Sequence, residues 1–459
     1  MNAPSSAAVS LKRDLGLWAA VALVVGTVIG SGIFIVPRDM VSNVGSPGVV
    51  FVVWIVGGLM SLSGALTYAE LSAAMPGAGG EYVYLREAYG PLWSFIYGWT
   101  QMWVAKSGSI ATLASAFFLK AFASFHPEVK QPAGHIPLPF GGPLEISYGQ
   151  IMAMALILAL GGLNYFGVKI GGRVQVLVTI CKVGLIFAVI AIGLGTGHGD
   201  MANFTTRVAV TNSNAIAAFF AALVAALWAY DGWNNVAMVA SEIREPQRNM
   251  PRALIGGSLA VMAIYLLANA AYFYVLPAQE VAASDLVATD MMRKIFGPTG
   301  ANLVSVAAMI SIFAALNGSI LTGSRVPYAM AMDGFFFKPM AKVHPVFHTP
   351  GISIVALSAW AAVLVFSGQY DQLFTYVIFA SWILYGMTTA AVLVLRRKRP
   401  EMPRPYRTFG YPVVPIVFVM SALGLVISTL FNSPRESLRG LALVLIGLPF
   451  YYYWAKRRM

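Results

Sequence analysis

Runs of about twenty apolar residues recur along the chain, separated by short polar or Pro/Gly-rich stretches. Each run is long enough to cross a ~30 Å hydrocarbon layer as a helix. About twelve are present, near 15–36, 46–74, 93–124, 147–166, 173–196, 213–240, 253–277, 301–328, 351–367, 372–395, 412–431 and 437–455. The pattern predicts an all-α membrane protein of about twelve transmembrane helices, forming one domain over 1–459. The connections are short, so no soluble domain is inserted. The longest is 125–146, expected outside, and the segment Pro76 to Pro91 between spans two and three reads as a short interfacial helix.

Two of the apolar runs are interrupted. The first carries Gly26-Thr27-Val28-Ile29-Gly30-Ser31-Gly32-Ile33-Phe34, and the sixth carries Trp228-Ala229-Tyr230-Asp231-Gly232-Trp233-Asn234-Asn235. A lipid-buried helix that opens loses the partners of its freed N–H and C=O groups. Such openings are tolerated where they line a cavity, which is where carriers place their substrate. Five spans separate the breaks. Because five is odd, the second unit starts from the opposite side of the membrane, as an inverted-topology repeat requires. The predicted organisation is repeat one about 15–197, repeat two about 211–396, and two appended helices about 412–455.

Composition agrees with this picture. Of 459 residues, 58% are hydrophobic and 10% charged. The net charge of +12 raises the question of nucleic acid, but its placement answers otherwise. With a cytoplasmic N-terminus and twelve spans, 20 Lys/Arg fall inside, 8 outside, and Lys106 and Lys182 lie within spans. That bias predicts an inner (plasma) membrane protein with both termini cytoplasmic. The segment from Met1 to Ser10 lacks the charged region of a cleavable signal, so the first run is expected to remain as a span. The single cysteine, Cys181, excludes an intramolecular disulfide and reads as a small core residue.

The breaks carry the candidate chemistry. Glycines 30 and 32 permit unusual backbone angles. A half-helix starting near Ile33 would present free N–H groups and a positive dipole end, which suits a carboxylate. The competing reading is a packing seam, since Gly26 and Gly30 form a G-x-x-x-G. In the sixth run, Asp231 is costly near the bilayer centre unless it meets water or a partner. Gly232 favours unwinding, and the carbonyls freed there suit an ammonium group. Asp231 can alternatively cap the broken helix, and Trp228 and Trp233 can pack over a ligand or simply in the core.

Lys182 lies roughly 13 Å into span five at ~1.5 Å per residue, too deep to snorkel. It can cycle a proton, replace a sodium ion with its ammonium, or form a static ion pair. Lys106, in span three, can pair with Asp231, meet a substrate side chain, or face water. Catalytic constellations are missing. His126, His135, His198, His344 and His348 form no metal-binding pair, and there is no nucleotide-binding loop. No cofactor and no metal is expected.

The segment from Gly26 to Phe34 with Pro37 resembles the first-helix motif of the amino acid–polyamine–organocation superfamily. Trp228 to Asn234, with Glu242 and the Pro246 to Pro251 turn, resembles its L-type amino-acid transporter branch, and most of all the bacterial serine/threonine exchangers. Pro76…Gly79-Gly80…Tyr84, Arg325-Val326 with Ala329-Met330-Ala331, and His344-Pro345…Thr349-Pro350 match in order along nearly the whole chain. The resemblance implies a LeuT-like five-plus-five fold with helices 1 and 6 discontinuous, and a sodium-independent, alternating-access carrier of neutral L-amino acids. It implies a substrate site at Val28, Ile29, Gly30, Ser31, Gly32, Trp228, Asp231 and Gly232. There, N–H groups of Ser31 and Gly32 would take the carboxylate, and carbonyls of Val28, Trp228 and Asp231 the ammonium. Lys182 matches the lysine that stands near a sodium site in sodium-independent members. Trp228 stands where the family usually has a gating Phe, and Lys106 departs from the branch pattern. Without a cysteine in the 125–146 loop, no disulfide-linked heavy chain is expected. A channel, a membrane enzyme, or a carrier of charged amino acids or polyamines are the alternatives.

Overall fold

The computed structural model describes residues 10–136, 144–210, 214–367, 370–432 and 434–458. Helices dominate. Among the described residues eight are long and apolar enough to cross a membrane: Pro47–Ala74, Pro91–Ser124, Tyr148–Tyr165, Val168–Gly195, Pro246–Val275, Val287–Met332, Val413–Phe431 and Ser437–Arg457. A further span is the pair Leu17–Val28 and Gly32–Val44, bent by 41° at the first break. Ala215–Ala229 and Gly351–Ser367 are shorter apolar helices, and Tyr370–Lys398 is a long one. The chain is a multi-pass membrane protein.

The layout brings the two breaks together. Helix Pro246–Val275 runs along both Pro47–Ala74 and Leu17–Val28, while Val287–Gly323 packs on Val168–Gly195. Gly32–Val44 packs on Ala215–Ala229, so the helix after the first break lies on the helix before the second. Where the chain enters its first helix, Leu15 forms a parallel bridge to Ile243, with Leu15 N–H on the Glu242 carbonyl at 3.0 Å. Beside it the fully buried Arg325 forms a two-pronged ion pair with Glu242, at 2.7 and 3.0 Å.

Several sequence expectations need correction. The 125–146 connection holds a small antiparallel hairpin, Pro132–Ile136 with Leu144–Ser147, in an otherwise helical fold. The 301–328 run is part of a longer helix that starts at Val287 and kinks at Gly297, where φ is +63°. The 76–91 segment forms a helix only over Glu81–Tyr89, with Glu81, Tyr82, Tyr84 and Leu85 buried in protein. Cys181 is exposed on the lateral surface, beside Phe117, Leu177 and Phe313. Apolar neighbours do not mark a core position in a membrane helix, because lipid accepts them equally. Cys181 and Lys182 sit ~100° apart on one helix, and the lysine takes the inward direction.

Candidate functional site

Helix Leu17–Val28 ends because Ile29 turns extended, with φ −73° and ψ 90°. The chain re-enters helix at Gly32, one residue earlier than the sequence reading places it. Such an end orphans the last carbonyls and leaves the negative end of the helix dipole exposed. Lys182 meets both. Its Nζ donates to the carbonyls of Gly26 at 2.7 Å and Ile29 at 2.5 Å, and the residue is fully buried. Ser311 Oγ lies 3.0 Å from the Ile29 oxygen and 3.2 Å from that of Gly30. On the other side of the break, the N–H groups of Gly30, Ser31, Gly32 and Ile33 donate to no backbone carbonyl among the described residues. They form the donor-rich, dipole-positive start of Gly32–Val44.

Helix Ala215–Ala229 closes with Tyr230 N–H on Ala226 O and Asp231 N–H on Trp228 O, both at 3.0 Å. Gly232 then adopts φ +107°, a region that glycine enters without strain. Helix resumes only briefly, over Asn235–Met238. The breaks are tied to each other directly. Thr27 Oγ1 lies 2.8 Å from Gly232 O and 2.6 Å from Leu23 O, and the Tyr265 hydroxyl lies 2.7 Å from Ala229 O and 3.1 Å from Val28 O. A Cβ on Gly32 would lie 2.9 Å from Ala229 Cα, and one on Gly232 would lie 3.1 Å from Thr27 O. Gly26 serves packing instead, since a Cβ there would run into Gln175.

Between the breaks lies a cavity of about 50 Å³, several times the ~10–15 Å³ one water needs. Val28, Gly30, Ser31, Gly32, Trp228, Asp231 and Gly232 all line it, as does Lys106. Ile29 and Lys182 stand behind the first break and hold its shape. A π-helical turn, Gln101–Ala105, precedes Lys106; such turns re-aim the residues beside them. Lys106 Nζ donates to Asn235 Oδ1 at 2.5 Å, and Asp231 and Glu81 both attract it. Asp231 caps no helix end: its Oδ1 accepts from the Tyr385 hydroxyl at 2.9 Å. Glu81 is fully buried and accepts from Tyr97 OH at 2.9 Å and from Asn234. Trp233 is core, packed against Tyr68 and Phe418.

Sequence reasoning did not single out Tyr265, Ser311, Tyr385, Asn235 or Glu81. Asn235 and Glu81 carried a signal as polar groups beside glycine breaks. The tyrosines and Ser311 carried none, because a hydroxyl is unremarkable in an apolar run. Among the described residues no group of three or more His, Cys, Asp or Glu is placed to hold a metal ion.

Comparison with known proteins places the chain in a family. The family model described as amino acid permease matches residues 15–448. The serine/threonine exchanger SteT of Bacillus subtilis is 35% identical over 98% of both chains. The b(0,+)-type amino acid transporter 1 of Mus musculus is 31% identical over 98% of this chain and 90% of its own. The human cystine/glutamate transporter is 29% identical over 99% of this chain and 88% of its own. These relatives are transporters and exchangers, not enzymes. The chain thus belongs to the amino acid permease family, in keeping with two broken helices that meet around one polar cavity.

Proposed function

We propose that this protein is a sodium-independent secondary transporter of neutral L-amino acids, acting by exchange or proton coupling through alternating access. The carrying observation is the pairing of opposite helix ends across one cavity: unbonded N–H groups at Gly30 to Ile33 and a carbonyl-rich turn at Trp228 to Asp231. A zwitterion is the ligand whose two charges match those two ends. The carboxylate sits on the Ser31 and Gly32 N–H groups, and the ammonium faces the Val28, Trp228 and Asp231 oxygens. The second lone pairs of the Val28 and Trp228 carbonyls serve it, since Tyr265 OH and Asp231 N–H occupy one each.

Lys182 does the work of a bound cation by neutralising the end of Leu17–Val28, which supports sodium independence. The small cavity beneath Trp228 favours small side chains. A neutral side chain fits the local charge, because Lys106 is already engaged by Asn235, Asp231 and Glu81. The second reading, a charged or acidic substrate, draws on the same lysine at the cavity wall and on the names of the b(0,+)-type and cystine/glutamate relatives.

The full architecture in this reading is a LeuT-like five-plus-five repeat with two added helices. Ala215–Ala229 with Asn235–Met238 serves as the broken sixth span, and Gly351–Ser367 and Tyr370–Lys398 as the ninth and tenth. The Lys/Arg bias supports both termini on the cytoplasmic side of the plasma membrane. The lone Cys181, on a lateral apolar surface, supports function without a disulfide-linked heavy chain.

The test is uptake in proteoliposomes of a panel of labelled amino acids, with and without internal amino acid, under imposed sodium or proton gradients. Uptake of small neutral amino acids without sodium is expected. No uptake across the panel would sink the reading, and preferred uptake of glutamate abolished by Lys106→Gln would favour the second.

A further inference from the structure

Helix Pro246–Val275 begins at the same end of the molecule as the Leu15 bridge and the Glu242–Arg325 pair. Its first turns form one wall of a second cavity, about 490 Å³ in volume, and Pro405 and Tyr406 form the other. Arg248 and Arg252 stand one turn apart on the cavity side. Pro251 lies between them, and further along the helix the lining becomes apolar with Ile255 and Gly256. The same helix then carries the exposed Leu259 and Leu267 along its lateral surface. The cavity is thus basic at one end and opens into an apolar face that runs up a membrane span.

The positive charge here is uncommitted, unlike that of its basic neighbours. Arg396 and Arg404 are both spent on the buried Glu70, at 2.6 and 3.3 Å, and Arg399 on Glu87 at 2.8 Å. Arg248 has only a 3.6 Å contact with Glu245, and both side chains are about 70% exposed, so that pair contributes little. Arg252 meets no carboxylate among the described residues. The helix start adds its own positive dipole.

We propose that this cavity is a binding site for an anionic phospholipid. The phosphate bridges Arg248 and Arg252, and an acyl chain follows Ile255 and Gly256 up the helix. Basic pockets between membrane helices recognise such headgroups. The site is independent of which amino acid is carried, because its readout is lipid retention rather than transport.

The test is native mass spectrometry of the delipidated full-length protein in detergent, titrated with phosphatidylglycerol and, separately, phosphatidylcholine. The wild type should retain one phosphatidylglycerol at least tenfold more tightly than phosphatidylcholine. At ≈1 kcal/mol per basic residue, Arg248→Gln with Arg252→Gln should weaken that binding about 30-fold. The charge-matched control Lys456→Gln with Arg457→Gln should change it less than about threefold, since that pair does not line the cavity. Both arginines are exposed, so an unchanged melting midpoint is expected in the variant. Equal binding by the Arg248/Arg252 variant, or an equal loss in the control, would overturn the proposal. Displacement of the lipid by millimolar glycerol phosphate would also overturn it, because a free phosphate site has no need of the apolar wall.

Discussion

Lys182→Ala removes the cation that holds the first break, and the structure sets the size of the effect. Two charge-assisted bonds are lost, to Gly26 O and Ile29 O. Ile29 O keeps Ser311 Oγ at 3.0 Å, whereas Gly26 O loses its side-chain donor. One surplus charged bond (≈1.5–3 kcal/mol) and one stranded acceptor (≈1–3 kcal/mol) sum to about 2.5–6 kcal/mol. Falling on the bent conformation, that corresponds to at least about a 50-fold loss of exchange in proteoliposomes, with protein still delivered to the membrane. Ser311→Ala should be more harmful in the Lys182→Ala background than alone, because either donor by itself keeps Ile29 O paired and losing both strands it. Exchange is measured by the efflux of preloaded labelled serine against external serine, with the melting midpoint followed in parallel. Wild-type exchange and an unchanged midpoint in Lys182→Ala would refute the reasoning and leave the lysine without a role in shaping the site.

Three further outcomes follow from the same geometry. Gly232→Ala places a side chain at φ +107° and within 3.1 Å of Thr27 O, a strain of about 1–3 kcal/mol; exchange should drop roughly 10- to 100-fold, and unchanged exchange would show that the break is not fixed. Arg325→Met alone strands the buried Glu242 and should cost about 3–5 kcal/mol, read as a lowered denaturation midpoint, whereas adding Glu242→Leu should recover much of it. Tyr385→Phe removes the donor to Asp231 Oδ1 at 2.9 Å; affinity for substrate should fall severalfold with the fold intact, as seen by binding titration.

The breaks were legible because glycine and aspartate are conspicuous inside apolar runs, and lipid makes any opened backbone expensive. Lys182 was legible by depth alone, and its two acceptors were in the neighbouring motif. The closure of the site was not legible. Tyr265, Ser311 and Tyr385 reach the breaks from helices far away in sequence, and their hydroxyls leave no periodic trace. Facing was equally hidden, as Cys181 demonstrates: lipid and core both accept apolar surface, so hydrophobic pattern locates a span without orienting it. Trp228 and Trp233 show the same limit, since only the structure separates the one at the cavity from the one in the core. The hairpin at Pro132–Ile136 was masked by a Pro/Gly composition that reads as irregular loop.

The central claim is that two complementary helix ends bind the two charges of one amino acid. The most direct measurement is competition for labelled serine on purified protein by L-serine, by its amine analogue lacking the carboxylate, and by its hydroxy-acid analogue lacking the ammonium. Loss of either charge should weaken competition by at least a hundredfold. Competition by either single-charge analogue as strong as that of L-serine would contradict the account.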